Sequence, residues 1–421
     1  MTPLDKEAFL CYNTGLKFEL DLAQMATKNM KIAMIGQKGL PAVWGGVERH
    51  VEELATRLVK NGHQVTVYSR SWYSQKRSKY QGVILCFVPS IHTKNLDAIT
   101  HTLFSTIDAL RHDFDIIHYH GVGPALLSFI PRLLKPHAKV IATFHCQDRL
   151  HGKWSFFAKI MLKLGEFVAC KFPHETIVVS QTLQKYVKEK YNCEAVYLPN
   201  GITAADQSNE LTLEKFGLKK DQYILAVSRL VSHKAIHYLI EAFRQLKKKQ
   251  PTLAENLKLV IVGDGSFTDH YVEYLRAMTR DLPDIVFTGW QKGAELSDLF
   301  SGSLFFVHPS QSEGLPLVVL EAMSYEKAVI VSDIPEHQEI IIDKRFLFEH
   351  NSAADLTRKL IWVLQNPTIR KVSQIQNRQL VEKEYNWEMI LPLLEAVYER
   401  TLCADCSNLP MFKIKKILAT A

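Results

Sequence analysis

No apolar run in the chain approaches the roughly 20 residues that a membrane-spanning helix needs, which excludes an ordinary helical membrane protein. The N-terminus, with Asp5 and Glu7 among its first residues, lacks the basic-then-apolar layout of a secretory signal. The seven cysteines are odd in number and scattered at positions 11, 86, 146, 170, 193, 403 and 406, so they do not form a disulfide framework. Cys403 and Cys406 make a lone C-x-x-C with no second pair, which reads as a tail and not as a zinc or redox motif. Internal repeats, low-complexity tracts and recognisable nucleic-acid modules are also missing. The expectation is a cytoplasmic protein with reduced thiols and no nucleic-acid partner.

At 421 residues the chain is too long for one ordinary core, so two domains are expected. Charge is divided unevenly. Residues 1–203 hold 25 Lys+Arg against 16 Asp+Glu, a balance of +9, while residues 204–421 hold 26 against 28, a balance of −2. A basic front half suits an anionic partner, either a phosphate-bearing ligand or an anionic membrane surface.

From Lys31 onward, short β-branched runs alternate with amphipathic helical stretches. "KIAMI", "HQVTVYS", "VILCFV", "DIIHYH", "KVIATFH" and "ETIVVS" read as strands of a first series. "YILAVS", "LKLVIVG", "IVFTG", "LFFVHPS", "AVIVSD" and "RFLFE" read as a second. Between the first two strands, Val47, Val51, Leu54 and Leu58 recur at helical spacing and predict a helix over 47–61 that ends at a glycine. Near-continuous apolar strands separated by helices predict an α/β fold of two Rossmann-like, doubly wound parallel-sheet domains facing across a cleft. The expected division is a first domain over 30–203, a second over 204–380, and a C-terminal helix within 381–421 that returns to the first domain before a tail. "PNGI" and the polar "TAADQSNE" mark the linker. Residues 1–29 fit no part of this plan, and Met30 is a candidate start.

In such sheets ligands bind beyond the carboxyl ends of the strands, so the strand-to-helix loops carry the chemistry. In "GQKGLPAVWGGVERH" (36–50), Gly45 and Gly46 allow close backbone approach, and the following helix points its first amides at the loop. The loop does not match G-x-G-x-x-G, which argues against a dinucleotide. Arg229 and Lys234 flank the loop after the first strand of the second series and suit a pyrophosphate. Taken alone they could equally be surface cations. "VIVGDGS" (260–266) adds Gly263 in the same register. "VHPSQSEGLPLVVLEAMS" (307–324) places Glu313, Gly314 and Leu315 in a loop and carries Glu321 into a helix opening near Pro316. A carboxylate after the apolar run 317–320 needs a partner, and ligand hydroxyls would serve.

The order of the Gly-Gly loop, "FHCQD", "PNG", "SRL…HK", "GDG" and E-x7-E resembles retaining GT-B glycosyltransferases of family 4, over residues 30 to about 400. The opening "IGQKGLPAVWGGVERH" is similar in particular to bacterial exopolysaccharide and lipopolysaccharide assembly enzymes. The resemblance implies that Glu313 holds hydroxyls of the donor sugar and Glu321 those of the nucleotide ribose. It implies that Arg229 and Lys234 neutralise the pyrophosphate, and that Gly45 and Gly46 approach the donor from the other domain. His145 would sit at the reacting sugar, making it and Glu313 the catalytic pair, with Asp148 on the acceptor side. Three places depart from the family pattern: Ala235 after the lysine, Cys146 after the histidine, and "YEKAVIVSD" before a core strand.

The expected reaction moves a hexose-type sugar from a nucleotide donor, UDP by default, to a saccharide or lipid-linked saccharide acceptor. Charge builds on the departing phosphate and can be met by Arg229, Lys234 and helix N-termini without metal. "DFD" (113–115) reads as a turn, and His118 and His120 as core histidines, so no cofactor is expected. A hydrolase also uses paired carboxylates but gives Arg229 and Lys234 no role. An epimerase on the same fold, or a non-catalytic scaffold, are the alternatives. Finally, "RLHGKWSFFAKIMLKLGEFVACKF" (149–172) carries Trp154, Phe157, Ile160, Met161 and Leu164 at helical spacing among Lys153, Lys159, Lys163 and Lys171. It reads first as a core-packed helix with a solvated basic face, and second as a contact with the inner face of an anionic membrane.

Overall fold

The computed structural model describes residues 29–93, 96–150, 155–203, 211–265 and 268–403. The extension expected before residue 29, most of "TAADQSNE", Lys153, Trp154 and Cys406 lie outside the described residues.

Two sheets form, as the apolar runs imply. The first contains β1 (Lys31–Ile35), β2 (Gln64–Ser69), β3 (Lys79–Tyr80), β4 (Val83–Phe87), β5 (Ile116–His120), β6 (Lys139–Phe144), β7 (Glu175–Val178) and β8 (Val196–Tyr197). Its order is β3-β4-β2-β1-β5-β6-β7-β8, parallel throughout except for the short β3. The second contains β9 (Tyr223–Val227), β10 (Lys258–Val262), β11 (Ile285–Gly289), β12 (Phe305–His308), β13 (Val329–Ser332) and β14 (Leu347–Phe348). Its order is β11-β10-β9-β12-β13-β14, all parallel. The central strands are buried from end to end, β5 and β12 at every residue, because helices cover both faces of a parallel sheet.

Strand order reverses between β1 and β5 in the first sheet and between β9 and β12 in the second. Loops leaving neighbouring strands at such a switch point diverge to opposite faces and open a crevice. The loops after β1 and β5 flank the first crevice and those after β9 and β12 the second, with the loop after β6 one strand further along.

Helix Gly46–Lys60 starts one residue before its predicted bound and packs Val51, Leu54 and Leu58 on the first sheet. Helix Pro367–Glu384 leads to Asn386, which bridges to Ile202, and the Ile202 amide donates to the Tyr385 carbonyl at 2.6 Å. The chain thus passes between the sheets at two adjoining points. Helix Trp387–Leu402 then lies in the core of the first sheet, where Trp387, Ile390, Leu394 and Tyr398 join Met30, Ile32, Val51 and Leu54.

Helix Phe156–Lys171 departs from the first of its two readings. Phe157 is 71 % exposed, and Ile160 and Leu164 nearly half. The side that packs inward is the small-residue one: Gly165, Val168 and Ala169 are buried, and a Cβ at Gly165 would collide with the Val122 carbonyl oxygen. Backbone-close packing through Gly and Ala has won over burial of the larger side chains. Among the described residues, no helix is long and apolar enough to cross a membrane.

Trp387 is 2 % exposed, stacks on His50 at 5.7 Å between ring centroids and lies under the Arg57 guanidinium. Trp387→Ala should cost about 3–5 kcal/mol, measured by urea denaturation, with most of the loss recovered in Trp387→Phe. A change under about 1 kcal/mol would mean that the returning helix does not anchor the first domain.

Candidate active site

Strand β12 ends in His308, and the loop beyond it delivers Glu313. The Glu313 carboxylate pairs with Lys234, which comes from the turn after β9, and with His308 Nε2 at 2.7 Å. Burial alone would raise the pKa of Glu313, but Lys234 and His308 outweigh it and hold the carboxyl well below the usual range. This is a buried, ionised group with its counter-charge in place. His308 and His337 stand edge to face at 5.6 Å, and His337 Nδ1 lies 2.9 Å from the Ser332 carbonyl oxygen. Neither histidine was read from the sequence as part of the site.

Lys234 was expected to join Arg229 at a phosphate; without ligand it is held by Glu313 instead. Arg229 is half-buried on the same loop. Gly263 has φ +131°, and a Cβ there would collide with the Ser228 carbonyl oxygen, so this glycine lets the β9 and β10 loops approach.

From the facing domain, β6 runs into His145. Gly314 lies so close to His145 that a Cβ on it would collide with the His145 carbonyl oxygen. Leu315, beside it, is buried. Cys146 donates from Sγ to Asp148 Oδ1 at 3.2 Å. Burial and then Asp148 push the Cys146 thiol well above its ordinary range, with Glu313 adding to the rise and Arg229 opposing it. One thiol thus senses charges from both domains, and the loops bearing His145, Asp148, Arg229 and Glu313 meet.

Below them lies a nest of imidazoles. His145 Nε2 and His120 Nδ1 are 3.3 Å apart, and the His50 ring stands 5.2 Å from that of His145. His118 is satisfied by the Tyr398 hydroxyl at 2.8 Å and Thr143 at 2.7 Å, as a core histidine. His120 is a buried core histidine as well, and it also faces His145 and joins the cluster. Burial, with His118 nearby, pushes His145 down to about 3, and burial does the same to His118. His50 and His120 are lowered as well, by burial and then by their fellow histidines. All four are neutral at pH 7. Among the described residues two groups could hold a metal: His50, His120 and His145 in one domain, and His308, Glu313 and His337 in the other. In each, the donor atoms lie within 4.8 Å of one another. The "DFD" residue Asp115 accepts from the Lys31 amide at 2.7 Å and belongs to the sheet edge.

At the glycine loop, Gly45 has φ +109° and precedes the helix, while Gly46 faces Leu317 with room for a Cβ at 3.6 Å. The Glu48 carboxylate folds back beside Gly45 and accepts from the Lys38 amide and ammonium at 3.1 and 3.0 Å. Burial works against its charge, and Lys38 overcomes that. An anion at these amides therefore shares them with Glu48, which the sequence reading did not foresee. Glu321 reaches the pocket from helix Leu317–Ser324, and its ion-pair partner is Arg49 of the opposite domain. Burial raises the Glu321 pKa and Arg49 offsets only part of that. The partner expected among ligand hydroxyls is, without ligand, an arginine. Arg49, His50, Glu53, Thr203, Leu317 and Glu321 are among the residues lining one small pocket.

The family 4 glycosyltransferase model matches residues 44–206, and the group 1 glycosyl transferase model matches residues 208–386. The chain is a GT-B glycosyltransferase. An uncharacterized glycosyltransferase of Methanocaldococcus jannaschii is 26% identical over 370 residues, covering 84% of this chain and 94% of its own. A phosphatidyl-myo-inositol mannosyltransferase of Mycolicibacterium smegmatis is 24% identical over 365 residues, with coverage of 84% and 90%. Among solved structures, Anabaena HepE in complex with UDP and glucose superposes with a TM-score of 0.71 at 16% identity, covering 88% of this chain and 100% of its own.

Because the unfolded chain protonates its histidines near pH 6.5 and the buried imidazoles here titrate far lower, the unfolded state binds more protons in between. Stability should therefore fall as pH drops from about 6.5 toward about 3, by about 1.4 kcal/mol per pH unit for each such histidine. Urea midpoints across that range would measure it. A flat profile would mean that His50, His118, His120 and His145 are solvated.

Proposed function

We propose that this GT-B glycosyltransferase moves a hexose-type sugar, with retention of configuration, from a UDP-sugar to a lipid-linked saccharide in surface-polysaccharide assembly. It would act in the cytoplasm at the inner face of a membrane. The observation that carries the reading is the convergence of Glu313, Lys234 and Arg229 with His145 and Asp148 across the inter-domain contact at Gly314. HepE, with its UDP and glucose, supplies the precedent for the donor on this fold, and the inositol-lipid mannosyltransferase the precedent for a lipid acceptor.

In this reading Glu313 accepts hydrogen bonds from donor-sugar hydroxyls while Lys234 and His308 keep it ionised. Glu321 takes the ribose hydroxyls, exchanging Arg49 for them. Gly45, Gly46 and Gly263 let backbone come close to the donor, and the Gly314–Leu315 amides line the sugar. As the bond from the anomeric carbon to the phosphate oxygen breaks, Arg229 and Lys234 meet the charge that builds on the leaving group. The acceptor oxygen bonds to that carbon on the same face, and its proton passes to the departing phosphate. His145, neutral down to about pH 3, is too weak a base for that proton. Its role is to position the reacting sugar by hydrogen bonding. No metal is required, because side-chain cations already supply the charge.

A thermal-shift series with UDP, GDP, ADP and dTDP tests the donor. UDP should stabilise the wild type with or without EDTA, and Glu321→Ala should lose that shift. Stabilisation by another nucleotide alone would reassign the donor, and dependence on manganese would overturn metal independence.

His145→Ala should lower turnover about 100-fold or more while leaving nucleotide affinity within about threefold. Parallel losses in both would refute a role confined to the reacting sugar.

A further inference from the structure

Exposed large apolar side chains are not spread evenly over this molecule. Of the eighteen found among the described residues, ten sit on three helices of the first domain. Phe156, Phe157, Ile160, Leu164 and Phe167 belong to helix Phe156–Lys171. At about 100° per residue they fall within one arc of about 100°, a single outward stripe. Leu133 and Leu134, at 68 % and 70 % exposure, end helix Phe129–Leu134. Leu103, Phe104 and Ile107 share one side of helix Asp97–Arg111.

These helices are neighbours. The crossovers from β4 to β5, from β5 to β6 and from β6 to β7 all run the same way along the sheet, so right-handed connections put the three helices on one face. Helix Gly46–Lys60, whose crossover runs the other way, lies on the opposite face. Phe129 and Phe172, with ring centroids 6.0 Å apart, join the second helix to the end of the third.

The exposed charge on these three helices is of one sign. Lys159, Lys163, Lys171, Arg111 and Arg132 are exposed on it. The acidic residues of the same helices turn inward. Glu166 is fully buried against Arg149, Asp97 pairs with Arg70, and Asp108 accepts from the Tyr68 hydroxyl at 2.8 Å. An apolar stripe edged by cations, with no exposed carboxylate on its own three helices, matches the interface of an anionic bilayer, where acyl chains take the rings and headgroup phosphates take the lysines.

The same helix is fastened to the acceptor side of the site. Arg149, next to Asp148, donates from Nε to both Glu166 oxygens at 3.0 and 3.2 Å and from Nη2 to the Tyr186 hydroxyl at 2.9 Å. Tyr186 and Tyr191 donate to the same carboxylate at 2.8 and 2.7 Å.

We propose that this three-helix face docks on an anionic membrane, with helix Phe156–Lys171 lying in the headgroup layer, and that the Arg149–Glu166 tie thereby holds the His145–Asp148 loop at the lipid surface. The docking stands on the surface alone; its use in presenting a lipid-linked acceptor rests on the glycosyl-transfer reading above.

Flotation of the purified protein with vesicles tests the docking. Wild type should float with phosphatidylethanolamine–phosphatidylglycerol vesicles and not with phosphatidylcholine alone. Lys159→Gln/Lys163→Gln should partition about thirtyfold more weakly, and Phe156→Ser/Phe157→Ser should fall to background. Each variant's thermal shift with UDP reports separately on its fold and donor site. Normal UDP binding without flotation would overturn the docking and leave the glycosyl-transfer reading intact. Flotation without any nucleotide shift would do the reverse. Equal binding to neutral vesicles would refute the electrostatic part, and a dimer abolished by Phe156→Ser/Phe157→Ser would assign the face to a second copy of the chain.

Discussion

A carboxylate kept ionised in the protein interior is the constraint around which the second domain is arranged. Glu313 is surrounded by protein, and an isolated charge there would cost several kcal/mol. Lys234 and His308 offset that cost, which requires the loops after β9 and β12 to meet at their strand ends. Strands β9 and β12 are neighbours in the sheet, so these loops start from adjacent strand ends at the switch point. Gly263 and Gly314 then serve the same end from different directions. One lets the β10 loop close on the β9 loop, and the other lets the carboxylate loop press against the opposite domain without a side chain between.

The eleven strands of four to six residues were legible because a parallel strand buried on both faces must be written almost wholly in apolar residues, and the two-residue β14 was legible within "RFLFE". The two-residue strands β3 and β8 carry too little sequence to leave a pattern. In the site, the residues named from their loops do gather, since a strand-end position is a sequence property. Their partners are not. His308 lies within an apolar strand and looks like core, and nothing local in "IIHYH" separates His118, bonded to Tyr398 some 280 positions away, from His120, which turns toward His145. Arg49 and Glu48 sit inside an amphipathic helix, where charged residues ordinarily face water. Only the folded arrangement turns one across the cleft and the other back upon Gly45.

Helix Phe156–Lys171 illustrates a limit of periodicity that is physical and not statistical. Its sequence holds two stripes that could face inward, one of Phe, Ile and Leu and one of Gly, Val and Ala. Area burial favours the first. The second allows the helix backbone to approach Val122, gaining many short dispersion contacts along a close interface, and it places Glu166 where Arg149 and two tyrosine hydroxyls can satisfy it. A carboxylate on that stripe decides the matter. With the Phe stripe inward, Glu166 would lose the Arg149, Tyr186 and Tyr191 bonds that satisfy it. The large apolar residues are left outside as a consequence, and an uncovered stripe of that size on a protein is itself informative.

The Arg49–Glu321 pair ties these threads together. Glu321 is buried, its acidity is weakened by that burial, and its one charged partner belongs to the other domain. A ribose diol offers two hydrogen bonds to such a carboxylate but no charge, so a nucleotide that takes Arg49's place must draw on the rest of its contacts to compensate. In the proposed reading Arg229, Lys234 and Glu313, which lie along the same strand ends, supply them. Arg49 is half exposed even while paired with Glu321, and it adjoins His50 in the chain. In the proposed reading, the domain contact and the donor compete for one carboxylate.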